Sequence, residues 1–199
     1  MSELVEVERQ ALGCTLCQLS TGRTNVVFGE GDPHARLMVV GEGPGRDEDL
    51  QGRPFVGRSG QLLDRLLLEE AGATREQVYI ANVVKCRPPH NRDPLPEEIS
   101  ACRPYLESQI AIIDPAVIVT LGNFATRTLL ATSEGITRLR GKVYPYPGRA
   151  SERAVVVPTF HPAAALRGGG EVVARMRADI VRARQVLEQA DRQPPARHG

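Results

Sequence analysis

Residues Leu37–Gly60 read LMVVGEGPGRDEDLQGRPFVGRSG, and the fold is decided here. Leu37 to Val40 is a short apolar run of the kind buried inside a parallel sheet. It stops at Gly41 in a turn of glycine, proline and carboxylates, with Phe55 a little further on. In open α/β sheets, ligands bind beyond the carboxyl ends of the strands, where loops carry chemistry on a rigid support. The turn therefore reads as half of a site, and neighbouring strands must supply the rest.

Working outward, Leu62, Leu63, Leu66, Leu67 and Ala71 recur at helical spacing, with Ser59 as a candidate N-cap and Gly72 as the stop. Val78 to Val84 is β-branched and apolar, a buried strand interrupted by Asn82. A proline-rich loop follows, Pro96 opens a helix to about Ile113, and Ala116 to Leu121 is the next strand. A helix over Asn123 to Ala131, a loop or hairpin over Arg138 to Tyr146, a strand over Ala154 to Thr159 ending in F-H-P-A-A-A-L, and a helix over Val172 to Ala190 complete the series. Upstream, Leu4 to Leu12 suits a short helix and Val26 to Phe28 an edge strand. Strands separated by helices predict a three-layer α/β/α sandwich around a mainly parallel four-stranded sheet. Residues 1–190 then form one domain, and 191–199 a disordered polar tail.

The 199 residues carry a formal net charge of +1, so contact with nucleic acid would have to come from a local basic patch. The acidic start lacks the pattern of a signal peptide and no apolar run reaches membrane-spanning length, which predicts a cytoplasmic protein with no membrane partner. In a reducing compartment its four cysteines point to metal ligation or burial before disulfides.

Glu42, Asn82 and His161 fall at or just beyond the ends of three predicted strands. Taken singly, each has a bland reading: a solvated turn residue, an amide satisfying a loop, a packed core histidine. At equivalent ends of a parallel sheet the three together favour a site. Gly41 and Gly43 fit the first places of a dinucleotide-binding turn, but Arg46 stands where its last glycine belongs. Cys14, Cys17, Cys86 and Cys102 show one tight pair and two widely spaced members, which leaves zinc, an iron–sulfur cluster and unrelated buried thiols all open.

From Cys14 to about Leu187 the chain resembles the family 4 uracil-DNA glycosylases, the iron–sulfur branch of the uracil glycosylase superfamily. The resemblance rests on G-E-G-P-G-R-D-E-D at Gly41 to Asp49, G-R-P-F-V-G-R-S-G at Gly52 to Gly60, and Y-I-A-N-V-V-K-C-R-P-P at Tyr79 to Pro89. L-R-G-K-V-Y at Leu139 to Tyr144 and F-H-P-A at Phe160 to Ala163 complete it. It implies a structural [4Fe–4S] cluster on Cys14, Cys17, Cys86 and Cys102. It also implies hydrolysis of the N-glycosidic bond of a uracil flipped out of DNA, leaving an abasic site.

Within that resemblance Gly43, Phe55, Asn82 and His161 bind uracil. Phe55 stacks, Asn82 reads the Watson–Crick edge, and His161 donates toward O2. Glu42 and Glu48 are the candidates for handling water and the sugar cation. Gly43 stands where better-known branches carry an aspartate, so the water-activating group is open between the two glutamates and backbone-held water. Leu166 is the candidate wedge, and Arg138, Arg140 and Lys142, with Lys85 and Arg87, the candidate phosphate contacts. Uracil-containing DNA is the expected partner of a monomer that hands its product to abasic-site repair enzymes. Two alternatives belong to other classes. A non-turnover relative would hold DNA through a histidine loop, for which His90 in R-P-P-H-N-R is the one candidate. A metal-stapled interaction module would leave the strand-end loops merely structural.

Overall fold

A computed structural model describes residues 3–192. The sheet has six strands in the order β1-β3-β2-β4-β6-β5. Its centre is the expected parallel set: β2 (Leu37–Gly41), β3 (Tyr79–Asn82), β4 (Val117–Leu121) and β6 (Val155–Thr159). Two antiparallel edge strands of two residues each, β1 (Glu30–Gly31) and β5 (Tyr144–Pro145), extend the predicted four-stranded core. The edge strand expected at Val26–Phe28 thus forms a few residues later. There Gly31 takes a positive φ of 127°, and a Cβ on it would meet the Val78 carbonyl oxygen at 1.8 Å.

Both faces of the central strands are buried, which is why they read as unbroken apolar runs. Met38, Val40 and Ile118 pack beneath helices α5 (Pro96–Ile113) and α6 (Gly122–Leu130). Leu37, Val39, Val117 and Val119 pack on the opposite face against Leu63, Leu67 and Ala183. Leu63 belongs to α4 (Arg58–Leu66), which runs on as a π-helical turn over Leu67–Ala71, and Ala183 to α9 (Gly170–Arg192).

The remaining helices are α1 (Glu3–Leu12), α2 (Leu19–Gly22), α3 (Arg46–Gln51), α7 (Ile136–Leu139) and α8 (Pro162–Gly168). Helix α4 starts after Gly57 and not after Ser59, because a carboxylate from α3 already holds the Gly57 N–H. Helix α9 runs to Arg192 and Asp191 pairs with Arg36, so the first two residues of the expected tail are helical; residues 193–199 lie outside the described residues. Among the described residues, no helix is long and apolar enough to cross a membrane.

Candidate active site

Parallel pairing puts the ends of β2, β3, β4 and β6 along one edge of the sheet. A cleft of about 1040 Å³ opens there, lined by Glu42, Gly43, Glu48, Phe55, Asn82 and His161 among others. The structure thus gathers every residue expected to bind the base or to act on the bond. Gly122, at the end of β4, has φ of 85°, and a Cβ on it would lie only 3.0 Å from the His161 Cβ, so this corner closes tightly on the imidazole.

Asn82 is 1 % exposed, and its Oδ1 has no hydrogen-bond partner among the described residues. An unpaired buried carbonyl oxygen costs about 1–3 kcal/mol, so one on a side chain that lines a cleft points to an incoming donor. Glycine makes room for it, since a Cβ on Gly41 would meet Asn82 Oδ1 and Phe55 Cζ, each at 2.5 Å.

Phe55 has φ of 53°, a left-handed conformation that a bulky residue holds only when its surroundings impose it. Arg75 supplies the restraint, donating to the carbonyls of Phe55 (2.6 Å) and Pro54 (2.8 Å) while pairing with Glu30 and Asp64. Gly60 lets the chain fold back, since a Cβ there would meet the Phe55 carbonyl oxygen at 1.7 Å. The Phe55 ring lies 5.9 Å from the His161 ring at an interplanar angle of 34°.

His161 precedes α8, and its Nδ1 accepts from the Ala163 N–H at 3.1 Å. Burial pushes its pKa down to about 4, assisted by the Arg167 charge and opposed by Glu48. A neutral imidazole whose Nδ1 accepts must carry its proton on Nε2. The support comes from behind, where Thr159 and Arg140 both donate to the buried Asp179 and Arg140 stacks over the Phe160 ring.

The two glutamates differ. Burial, followed by the charge of Asp93, raises the Glu42 pKa to about 7. Glu48 accepts from the N–H groups of Gly45 (3.1 Å), Val56 (3.0 Å) and Gly57 (3.2 Å), and so clamps the starts of α3 and α4 together.

The expected DNA contacts divide into two groups. Arg140 is committed to Asp179, and Lys85 is buried with its ammonium on the Asn82 carbonyl, so neither is offered to a phosphate. Arg138 and Lys142 are exposed but do not line the cleft, and Leu166 is exposed beside it on α8. The cleft instead carries Arg46, Arg58 and Arg167. Arg58 sits inside the G-R-S-G motif and was legible there; Arg75 and Asp93 had no signal in sequence. His90 lies in a separate depression with Arg87.

Cys14, Cys17, Cys86 and Cys102 line one small cavity with Leu16, Leu19 and Arg23. Arg23 donates to Cys86 Sγ at 3.4 Å, and the Lys85 N–H to Cys102 Sγ at 3.2 Å. Among the described residues no three side chains converge as the ligands of a single ion.

The sequence profile of the uracil DNA glycosylase superfamily matches residues 28–187. The chain belongs to that superfamily. The type-4 uracil-DNA glycosylase of Sulfurisphaera tokodaii is 49% identical over 170 residues, covering 83% of this chain and 77% of the relative. That of Thermotoga maritima is 47% identical over 189 residues, covering 94% and 96%. A type-5 uracil-DNA glycosylase from Thermus thermophilus is 34% identical over 141 residues, covering 61% and 64%. The higher identity over a longer span lies with the type-4 branch of the superfamily.

Proposed function

We propose that this chain is a uracil-DNA glycosylase that takes uracil out of DNA into the strand-end cleft and hydrolyses its N-glycosidic bond, leaving an abasic site. The observation that carries the reading is the unpaired Asn82 Oδ1 in a cleft shared with Phe55 and His161. Uracil offers a donor at N3 and an acceptor at O4, which an asparagine amide matches with Oδ1 and Nδ2. Cytosine offers the reverse and would leave both amide groups unpaired. A site built to hydrogen-bond its substrate rejects such an analogue by orders of magnitude. Flipping costs a few kcal/mol of unstacking, and the Phe55 face restores part of it.

As the bond between C1′ and N1 breaks, its electron pair leaves with the base and positive charge grows on the sugar. The Nε2–H of neutral His161, held by the Ala163 bond at the other nitrogen, donates to O2 as negative charge develops there. Water adds to C1′, and Glu42 is the better acceptor for its proton, since both Glu48 oxygens already serve backbone donors. Arg46, Arg58 and Arg167 are placed to hold flanking phosphates, and Leu166 to enter the gap left by the base.

The four thiols line one small cavity and are the soft ligand set of an iron–sulfur cluster. Such a cluster would tie the loop of Cys14 and Cys17 to Cys86 and to α5 at Cys102, a structural link requiring no part in hydrolysis. Thiols kept for ligation and not paired as disulfides fit a reducing compartment, and the reading is of a cytoplasmic protein whose abasic-site product passes to repair enzymes.

The test is direct. Purified protein incubated with a uracil-containing oligonucleotide, then treated with alkali, is expected to give strand breaks at uracil; none under broad conditions of salt and pH would sink the proposal. Anaerobically prepared protein is expected to show thiolate-to-iron absorbance that Cys102→Ser removes. A stable protein–DNA adduct on a denaturing gel would instead favour the non-turnover reading, for which His90 lies outside the cleft.

A further inference from the structure

We infer that Lys85 is a positioning residue for base reading, acting on Asn82 through the Asn82 backbone carbonyl. The inference rests on the reading of Asn82 given above. Lys85 is 1 % exposed, and its ammonium donates to the Asn82 carbonyl oxygen at 2.9 Å and to Gln109 Oε1. The Phe28 ring also faces it, its centroid 5.8 Å away, and the Cys102 thiol is near enough to act on its charge. The groups its ammonium touches directly are neutral. An ammonium that spends its hydrogen bonds on neutral acceptors is a costly way to close a turn, and lysine is almost never fully buried unless paired. Methionine would fill a similar volume without that cost.

What the ammonium fixes is the peptide plane immediately after Asn82. The same turn is held on its other side, where the Val83 N–H donates to the Gly41 carbonyl at 2.9 Å and the Val84 N–H to the Glu42 carbonyl at 3.1 Å. With the carbonyl of Asn82 held by Lys85, its Cα–Cβ bond has one direction, which keeps the side chain in the cleft lining with Oδ1 unpaired. Gln109, from the last third of α5, cannot turn away: its Nε2 donates to the Phe28 carbonyl at 2.9 Å and to Tyr79 Oη at 3.1 Å, which leaves Oε1 for Lys85. The Lys85 backbone is fixed as well, its N–H on Cys102 Sγ and its carbonyl accepting from the Val27 N–H at 2.8 Å. One residue thus joins the thiol cavity to the side chain that reads the base.

A residue that only filled space would change stability and leave the selectivity of the folded protein alone. The discriminating experiment is a double-mutant cycle of Lys85→Met and Asn82→Ala on the full chain, restricted to preparations with wild-type near-ultraviolet circular dichroism. Two quantities are read: the single-turnover excision rate, and the binding preference for an oligonucleotide carrying non-hydrolysable 2′-fluoro-2′-deoxyuridine over one carrying deoxycytidine. Lys85→Met is expected to slow excision about 10- to 100-fold and to narrow the preference, while in the Asn82→Ala background it changes either by less than about twofold.

Wild-type rate and preference in Lys85→Met would overturn the proposal, as would a loss that multiplies fully with Asn82→Ala. A wild-type preference in Asn82→Ala alone would sink the base-reading role itself and this inference with it, an outcome the Lys85 variant by itself could not produce. Where Lys85→Met fails to fold, Gln109→Met releases the ammonium from its second anchor. The expected result is then a smaller loss that again vanishes in the Asn82→Ala background, and an additive loss counts against the proposal.

Discussion

The floor of the cleft and the frame around it are both rich in polar groups, but they use them in opposite ways. On the floor, Asn82 Oδ1 is unpaired and Glu42 is held among neighbours that raise its pKa to about 7. In the frame, Glu48 serves three backbone donors, Arg75 pins the carbonyls of Pro54 and Phe55, and Asp179 holds Arg140 and Thr159. The floor is left short of partners because a ligand is to provide them. The frame is saturated because it must hold the floor in that condition. Floor substitutions should therefore damage chemistry without damaging stability, and frame substitutions the reverse.

The largest effect is expected from Asn82→Ala. Excision should fall about 10³- to 10⁴-fold, in line with the discrimination that hydrogen-bonding sites achieve. The melting temperature should hold or rise even though the residue is 1 % exposed, because the variant removes an unpaired oxygen along with the amide. A large loss of stability would mean that Asn82 belongs to the frame. The next effect is expected from Glu42→Gln, with a fall of about 10²-fold or more if Glu42 takes the water proton. The wild-type rate should climb as pH rises through about 7, where the carboxyl ionises, and the variant should lose that limb. The same raised pKa has a stability sign. The contribution of neutral Glu42 is full below the ordinary value of 4.5 and is lost as pH rises through about 7, so Glu42→Gln should be the more heat-stable protein at alkaline pH.

Frame behaviour is tested by Arg75→Met. The Arg75 side chain is 12% exposed, and its loss leaves the carbonyls of Pro54 and Phe55 without their donor and Asp64 without its cation, while Glu30 keeps Arg53; a destabilisation of about 1–3 kcal/mol follows from the stranded carbonyls. Denaturant melts would record it. The excision rate of the remaining folded protein should fall far less than in either floor variant, by the extent to which Phe55 relaxes from its left-handed backbone.

The division between floor and frame marks the limit of what the sequence discloses. The parallel strands were legible because both of their faces are buried, and the convergence of Glu42, Asn82 and His161 followed from strand direction alone. The ends of α5 were legible from Pro96 and the apolar spacing. Helices α3 and α8 were not, since R-D-E-D-L-Q is polar all round and P-A-A-A-L-R-G is too short to show a period. Nothing local separates Glu42 from Glu48: their difference is made by Gly45, Val56 and Gly57 N–H groups on one and by Asp93 near the other. Arg140 reads in sequence as a free cation because its partner, Asp179, comes from α9 far along the chain. Charge is visible in sequence, but whether a charge is already spent is a tertiary property.

The smallest effect sharpens the comparison most, because it touches neither floor nor frame directly. Asp93 is an exposed residue on the cleft rim whose negative charge is the second cause, after burial, of the raised Glu42 pKa. Removing it with Asp93→Asn leaves burial in place, so the midpoint of the rising limb in the pH–rate profile should move to lower pH by less than about one unit, since an exposed charge is screened. The plateau rate should be unchanged, and added salt should shift the wild-type midpoint in the same direction. A midpoint that ignores both Asp93→Asn and salt would assign the limb to a group other than Glu42. The water-activating role would then pass to the backbone, and Glu42 would join Glu48 as part of the frame.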